Sequence, residues 1–425
     1  MGFIKNYQEL AYTQERKIVL DLIETGLSSI QPQNVMDKNF VLAENKLKIL
    51  DNEFNLQNFE RIFLVGFGKG SATISKTIEN VLEKKLTKGF VIDTNKEEFK
   101  KIEFTQGTHP LPSEQNINFT KRVVNELNSL TSKDLVLVII CGGGSAMFEL
   151  PFKITLDKLI DVNHSLLKNG ADIFETNTIR KHLSSVKGGG LAKLLYPAKV
   201  ISLIFSDVAG NNLSTIASGT TVKDETNIKD ALAVIEKYKM KDLDLKSEDY
   251  TETPKEKNIF ENVKNILMLS NETALLAMSD KAKSLGINCK IFSDKFQSEA
   301  RNAPAILLKE AEENSVLLAG GETTVKVKNL KGEGGRNQEV ALSAISEIDE
   351  RTVIAAFDSD GWDNSEATGA IVDSNSLQNA NKQNLNPEEY LNTNNSLVFF
   401  QKLGDAIITG RLSSNVSDLF IVYKK

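Results

Sequence analysis

Apolar residues recur along the chain in two alternating rhythms: short runs rich in Val, Ile, Leu and Phe, each followed by a longer stretch with apolar positions three or four apart. The short runs predict strands at Ile62–Val65, Gly89–Ile92, Leu135–Ile140, Val200–Phe205, Ile266–Leu269, Val316–Leu318, Val325–Lys328, Val353–Phe357 and Phe420–Tyr423. The longer stretches predict helices at Gln14–Leu27, Ser71–Glu83, Ser113–Leu130, Thr155–Leu167 and Glu272–Leu285. Ile74, Ile78, Val81 and Leu82 line one face of the second of these. Strand and helix in alternation read as an α/β protein with a largely parallel sheet. Residues 1–300 are expected to form an N-terminal doubly wound domain and residues 301–425 a second α/β domain. The boundary is placed near Ser293–Ala303, where a new glycine-rich set of strand ends begins. Residues 239–258, charged and without apolar periodicity, read as an exposed excursion.

Composition narrows the classes. At 425 residues, 40% hydrophobic and 25% charged, this is an ordinary globular chain. Its net charge of −6 offers no footprint for nucleic acid or an anionic membrane, so neither is expected as a partner. The two cysteines, Cys141 and Cys289, supply neither a disulfide framework nor a CxxC site, which suits a cytoplasmic location. The opening MGFIKNYQEL has no apolar leader region, and the run Leu135–Phe148 is too short to cross a bilayer. His109, His164 and His182 are too scattered for a zinc site. Oligomeric state is left open.

Candidate chemistry gathers where strands run into glycines. In RIFLVGFGKGS, Gly66 and Gly68 surround the approach to Lys69. The spacing is not that of a Walker A loop. It approximates a dinucleotide fingerprint with Asp93 as the ribose acid, or else the glycines merely tighten a strand–helix turn. In CGGGSA, Gly142, Gly143, Gly144 and Ser145 follow LVLVII, and three glycines together point to close approach of an anion to the backbone. In the segment 177–190, wound as a helix, Asn177, Arg180, Ser184 and Lys187 form a polar row opposite Ile179, Leu183 and Val186, while His182 reads as a core residue. The fourth set is Gly320-Gly321-Glu322, then GEGGRNQE. Arg336 there falls in a first helical turn, where a cation opposes the helix dipole. It is there for a phosphoryl group or for a neighbouring carboxylate. Asp207, Asp358 and Asp360 each follow an apolar strand, and Mg²⁺ held by one or two carboxylates plus phosphates suits so scattered a set.

Taken in order, GFGKGSA, THPLPSE, CGGGSA, NTIRKHLSSVKGGGLA, SDVAGNNLSTIASGTTVKD, GGETTVKVKNLKGEGGRNQEVAL, DSDGWDNSEATGAIVD and GRLSSNVSDL resemble the glycerate kinases that carry a C-terminal MOFRL domain. The resemblance runs over nearly the whole chain. It implies a Rossmann-like N-terminal domain, a MOFRL-like C-terminal domain with a ligand cleft between them, and transfer of the γ-phosphate of ATP to glycerate, commonly giving 2-phosphoglycerate, with Mg²⁺. It carries functional roles onto Lys69 and Arg336. The chain departs from the family pattern at Asn211, Thr220, Ser359 and Asn364, and in GRLSSN around Arg411.

On this reading Lys69, Arg336 and Asp207 serve catalysis, and Gly66, Gly68, Gly142, Gly143, Gly144 and Ser145 bind nucleotide phosphates. Arg180, Lys187, Glu322 and Asp360 face the acceptor, while Asp207 and Asp358 hold the metal. Truncating Lys69 or Arg336 is expected to lower turnover and leave thermal stability nearly unchanged. Arg411 offers a bidentate partner for the acceptor carboxylate, or lies on the surface. The alternatives are an NAD-dependent hydroxypyruvate reductase, which the Rossmann-like loop and Asp93 would serve, and a non-catalytic nucleotide or sugar-acid binding protein.

Overall fold

The computed structural model describes residues 2–425. They form two compact units, one made of Val35–Ser206 and Asn211–Met268, the other of the residues up to Asn34, Asp207–Gly210 and Leu269–Lys425. Within the first unit, β1 (Phe40–Ala43), β2 (Lys46–Ile49) and β3 (Asn52–Asn55) make a small antiparallel meander that the apolar pattern does not announce. Its strands are four residues long, and β2 and β3 are half or more polar, below the length at which alternation is legible.

The main sheet of the first unit contains β4 (Arg61–Phe67), β5 (Lys88–Asp93), β6 (Ile102–Gln106), β7 (Asp134–Ile140), β8 (Lys199–Phe205) and β9 (Val263–Leu269), in the order β6-β5-β4-β7-β8-β9. Strands β4 to β8 pair in parallel. This is the strand order of a doubly wound dinucleotide-type sheet. Every residue of β7 is buried, as expected of a central strand covered on both faces. The chain leaves β4 towards β5 on one side and returns to β7 on the other. The carboxyl ends of β4 and β7 are therefore the topological switch point, where open α/β sheets bind ligands.

The second unit is built differently. Strands β10 (Asn288–Phe296), β11 (Ser315–Gly321), β12 (Thr352–Asp358), β13 (Gly369–Val372), β14 (Ala406–Ile407) and β15 (Asp418–Lys424) lie in the order β10-β11-β15-β12-β13-β14. Only β10 and β11 are parallel; the other pairs are antiparallel, so the expectation of a largely parallel sheet fails for this unit. The reason is β15, which returns between β11 and β12 and runs against both. Its start thus meets their ends, with Asp418 in register with Gly321 on one side and Asp358 on the other. Val325–Lys328, expected as a strand, is a loop.

The units also divide the chain elsewhere than at residue 300. Ser293 lies inside β10, which pairs with β11, so no linker occupies the expected boundary. The helix Gln14–Ser29 belongs with the second unit, where Gly26 meets Met278 of the helix Asn271–Ser284 so closely that a Cβ would come within 3.0 Å of its sulfur. Arg16, fully buried, fixes that helix further. Its guanidinium reaches Asp373 (2.9 Å), Asp405 (2.8 Å) and the Ser376 hydroxyl (2.8 Å). Removing it would strand two buried carboxylates, at a cost of ~3–5 kcal/mol. The charged excursion is only partly exposed: Met240 and Tyr250 are buried against Leu159, Val162, Leu166 and Ile179.

Candidate active site

At the switch point of the first unit, the β4 and β7 loops are stitched together. The Lys69 amide donates to the Gly142 carbonyl (2.8 Å) and the Cys141 amide to the Phe67 carbonyl (3.1 Å). A Cβ on Gly68 (φ +102°) would lie 2.4 Å from the Cys141 carbonyl oxygen, and one on Gly66 would lie 2.8 Å from the Ser75 hydroxyl. These two glycines therefore serve packing of loop on loop and helix on strand, and not the approach of a phosphate.

Nor is the helix Ser71–Leu82 open at its N-terminus. The buried Asp93 carboxylate accepts from the Ala72 amide (2.9 Å) and the Asn95 amide (3.2 Å), and its burial raises its pKa. An acid spent on capping the helix beside its own strand is turned away from any ribose.

What remains open at this corner is Lys69 itself. It is exposed, and among the described residues no carboxylate pairs with its ammonium. Its charge acts on His109, whose pKa is lowered by burial and by Lys69. The His109 ring lies against Gly143 (φ +77°), at a place where a Cβ would come within 2.8 Å of it. The motif THPLPSE held this histidine, but nothing in its spacing marked it as Lys69's neighbour.

The polar row expected on one helix is broken. The helix Ile173–His182 ends before Ser184 and Lys187. Lys187 is fully buried, and its ammonium donates to the Ser145 carbonyl (2.7 Å) and the Phe148 carbonyl (3.3 Å) and pairs with Glu149 (3.3 Å). With its three donors engaged, Lys187 braces the glycine loop and does not face the acceptor. Burial pulls its pKa down.

Arg180 is less committed. Its Nε donates to Asn163 (2.6 Å), while burial, offset in part by Glu149, lowers its pKa. One turn earlier, Asn177 is 2% exposed and, among the described residues, neither of its side-chain polar atoms has a partner. Ser145 and Ser218 share a hydroxyl hydrogen bond (3.0 Å) beside the left-handed turn Ala217–Gly219. His182 is buried with its Nδ1 at the Thr178 carbonyl (2.8 Å), as expected of a core histidine.

In the second unit, the ends of β11 and β12 and the start of β15 bring Glu322, Asp358 and Asp418 to one edge, and all three surround Arg336. The guanidinium reaches Asp418 through Nε (2.7 Å), Glu322 through one terminal nitrogen (2.5 Å) and Asp358 through the other (3.6 Å). Burial works against this cation, but the three carboxylates outweigh it and raise its pKa.

The carboxylates answer in kind. Burial pushes Asp418 up to about 7, with Arg336 pulling against it. Burial, then the charges of Asp418 and Asp360, push Asp358 well above the usual range. Asp418 lies within the sequence motif GRLSSNVSDL, but its place beside Arg336 is set by the return of β15. The neighbouring-carboxylate reading of Arg336 is thus what the geometry shows, and loss of its guanidinium would leave the buried Asp418 and Asp358 without their counter-ion.

The helix that Arg336 opens is also capped from within. Asp363 accepts from the amides of Asn337 (3.1 Å) and Gln338 (2.8 Å). Asp360 accepts from the Trp362 amide (2.8 Å) and gives its own amide to Asp358 (3.0 Å). Arg411 stacks on Trp362, 4.2 Å from the ring centre. Asp207 is half-buried after β8 and groups with the second unit.

Among the described residues no three His, Cys, Asp or Glu side chains are gathered to hold a metal. Asp358, however, carries more acidic neighbours than Arg336 alone compensates, so its donor set fits a divalent cation whose remaining ligands come from phosphate and water. Among the described residues no helix is long and apolar enough to cross a membrane.

The family described as "Domain of unknown function (DUF4147)" matches residues 18–250, and the MOFRL family matches residues 315–418. A D-glycerate 2-kinase of Thermotoga maritima is 37% identical over 96% of this chain and 97% of its own. A protein of Agrobacterium vitis named as a putative hydroxypyruvate reductase is 33% identical over 91% of this chain and 92% of its own. The crystal structure of a Thermotoga maritima glycerate kinase superposes with a TM-score of 0.84 at 32% identity, covering 96% of this chain and 99% of that one. Fold, motif order and these relatives agree: the chain belongs to the glycerate kinase family that joins a DUF4147 domain to a C-terminal MOFRL domain.

Proposed function

We propose that this protein is a cytoplasmic, Mg²⁺- and ATP-dependent kinase that phosphorylates D-glycerate to 2-phosphoglycerate. The observation that carries the reading is Arg336, a guanidinium at a strand end among Glu322, Asp358 and Asp418; Lys69, at a strand end of the first unit, has no carboxylate partner among the described residues. Phosphoryl transfer asks chiefly for positioning and for cations on the transferring group. In this scheme Lys69 and the amides of Gly142, Gly143 and Ser145 bind phosphate oxygens, the Gly144 amide being held by the Cys141 carbonyl (3.1 Å). Arg336 stabilises the charge that spreads over the transferring group, exchanging Glu322 for it. Arg180, with the unpartnered Asn177 amide, takes the carboxylate of the acceptor. Asp358, with Asp207, holds Mg²⁺, which neutralises phosphate charge. Asp360 orients the loop beside them.

A reductase of hydroxypyruvate is the second reading, favoured by the name of the Agrobacterium relative. The inward engagement of Asp93 weighs against it, because the acid that would select a nicotinamide ribose is spent on a helix cap. Incubation with Mg²⁺-ATP and D-glycerate should release ADP, with the product assigned by phosphorus NMR. Oxidation of NADH on hydroxypyruvate with no ADP formed would replace the kinase by the reductase.

A further inference from the structure

The second unit contains a cavity of about 730 Å³, lined by Glu322, Thr323, Val327, Leu330, Arg336 and Trp362 among others. A three-carbon acid fills a small part of such a volume, which lies in the range of cofactor and nucleotide sites. Its lining is mixed in a particular way. The wall segment leads from Glu322, paired with Arg336, to Val327 and Leu330, which are 61% and 96% exposed.

This segment is pinned. The Asn394 side-chain Oδ1 accepts from the backbone amides of Lys328 (2.7 Å) and Asn329 (3.2 Å), and its Nδ2 donates to Glu339 (3.2 Å). Two open aliphatic side chains are therefore held at the cavity by a dedicated contact. Trp362 adds a flat aromatic surface, extended by the Arg411 guanidinium stacked upon it. Thr323, 2% exposed, contributes a hydroxyl without a partner among the described residues.

We infer that this cavity takes a purine nucleoside polyphosphate, with the base against Val327, Leu330 and Trp362 and the phosphates towards Arg336. The inference rests on the kinase reading and goes beyond it, because it moves the base and ribose of the nucleotide away from the glycine-rich corner of the first unit. An apolar, planar group joined to an anionic tail is the ligand class that uses both the aliphatic wall and the guanidinium. The acidic charge around Asp358 is matched when the tail arrives with its divalent cation.

Trp362 is the chain's only tryptophan and so reports on the cavity directly. In the full-length protein, Mg²⁺-ADP alone should change its emission saturably, while D-glycerate alone should not. Leu330→Asp, at an exposed position, should weaken ADP binding on the order of tenfold and raise KM for ATP to match, with KM for glycerate held within about twofold. Tripolyphosphate, which lacks a base, should bind wild type and Leu330→Asp alike. If ADP is still produced but Leu330→Asp binds it with unchanged affinity and Trp362 does not respond, the base lies elsewhere and the kinase reading stands. If the wild type binds no nucleotide by calorimetry and forms no ADP, both fall.

Discussion

Lys69 and Arg336 sit at corners that look alike in sequence, each a strand that ends in glycines and opens a helix, yet the two cations live in opposite electrostatic surroundings. Lys69 is exposed and, among the described residues, unpaired, and its charge acts on His109. Arg336 is half-buried, with three carboxylates around it. Both helices are capped by a buried aspartate from the next strand end or loop, Asp93 in one case and Asp363 in the other. Gly66 and Gly68 thus permit close packing of loop on loop and helix on strand. One cation is available for a ligand at once; the other must exchange a carboxylate for it.

The largest expected effect separates the two directly. Lys69→Met and Arg336→Met should each lower kcat by ~10²-fold or more, on the scale of losing a preorganised electrostatic donor. Only Arg336→Met should also destabilise the protein, by roughly 2 kcal/mol after allowance for partial exposure, because Asp418 and Asp358 are left without their counter-ion. Thermal melts of both variants check this; equal melting temperatures would erase the contrast.

A second pair sharpens it within the first unit. Lys187→Met should unfold at lower temperature and lose turnover, since Glu149 is stranded and the glycine loop unbraced. Arg180→Met should melt normally and raise KM for the acid severalfold, as loss of a ground-state contact does. Equal melting temperatures here would mean that Lys187 is not the brace.

The caps differ less. Burial raises the pKa of Asp93 above the ordinary 3.8, so the unfolded chain releases its proton first as pH rises. The contribution of this titration to stability is therefore full below pH 3.8 and fades as pH passes through the raised value. Asp93→Asn should flatten that part of the pH–stability curve and cost ~1 kcal/mol of capping, read by denaturant titration across pH. A curve parallel to wild type would exclude Asp93 as its source.

The smallest effect is at Arg411. Stacked on Trp362, it supports the cavity wall, so Arg411→Gly should shift Trp362 emission and raise KM for ATP by no more than about threefold, the scale of one exposed cation–π contact. A selective rise in KM for glycerate would instead make Arg411 a partner of the acid.

The residues that sequence reading found were those whose role is set by local pattern. The strand-end places of Lys69 and Asp358, the helix start at Arg336 and the doubly wound order of the first unit follow from where apolar runs stop. What stayed hidden depends on distant pairing. Asp418 meets Arg336 only because β15 returns between β11 and β12, and Glu149 matters only because Lys187 is folded onto it. The outward look of GxG beside Asp93 was misleading for a related reason: an acid following a strand can serve a ribose or the neighbouring helix, and spacing does not distinguish them. Likewise the helix carrying Arg180 stops at His182, where tertiary packing overrides a periodicity that runs on to Val186.

The buried fork of Arg16 also has a consequence in time. During synthesis this residue emerges 357 positions before Asp373, its partner. At ~5–20 residues per second that interval is roughly 20–70 s, in which the helix Gln14–Ser29 must keep its apolar face from other chains while the doubly wound unit is made and folds. A nascent chain halted before Asp373 should bind a holdase chaperone through its first forty residues, and one extended past Lys424 should not.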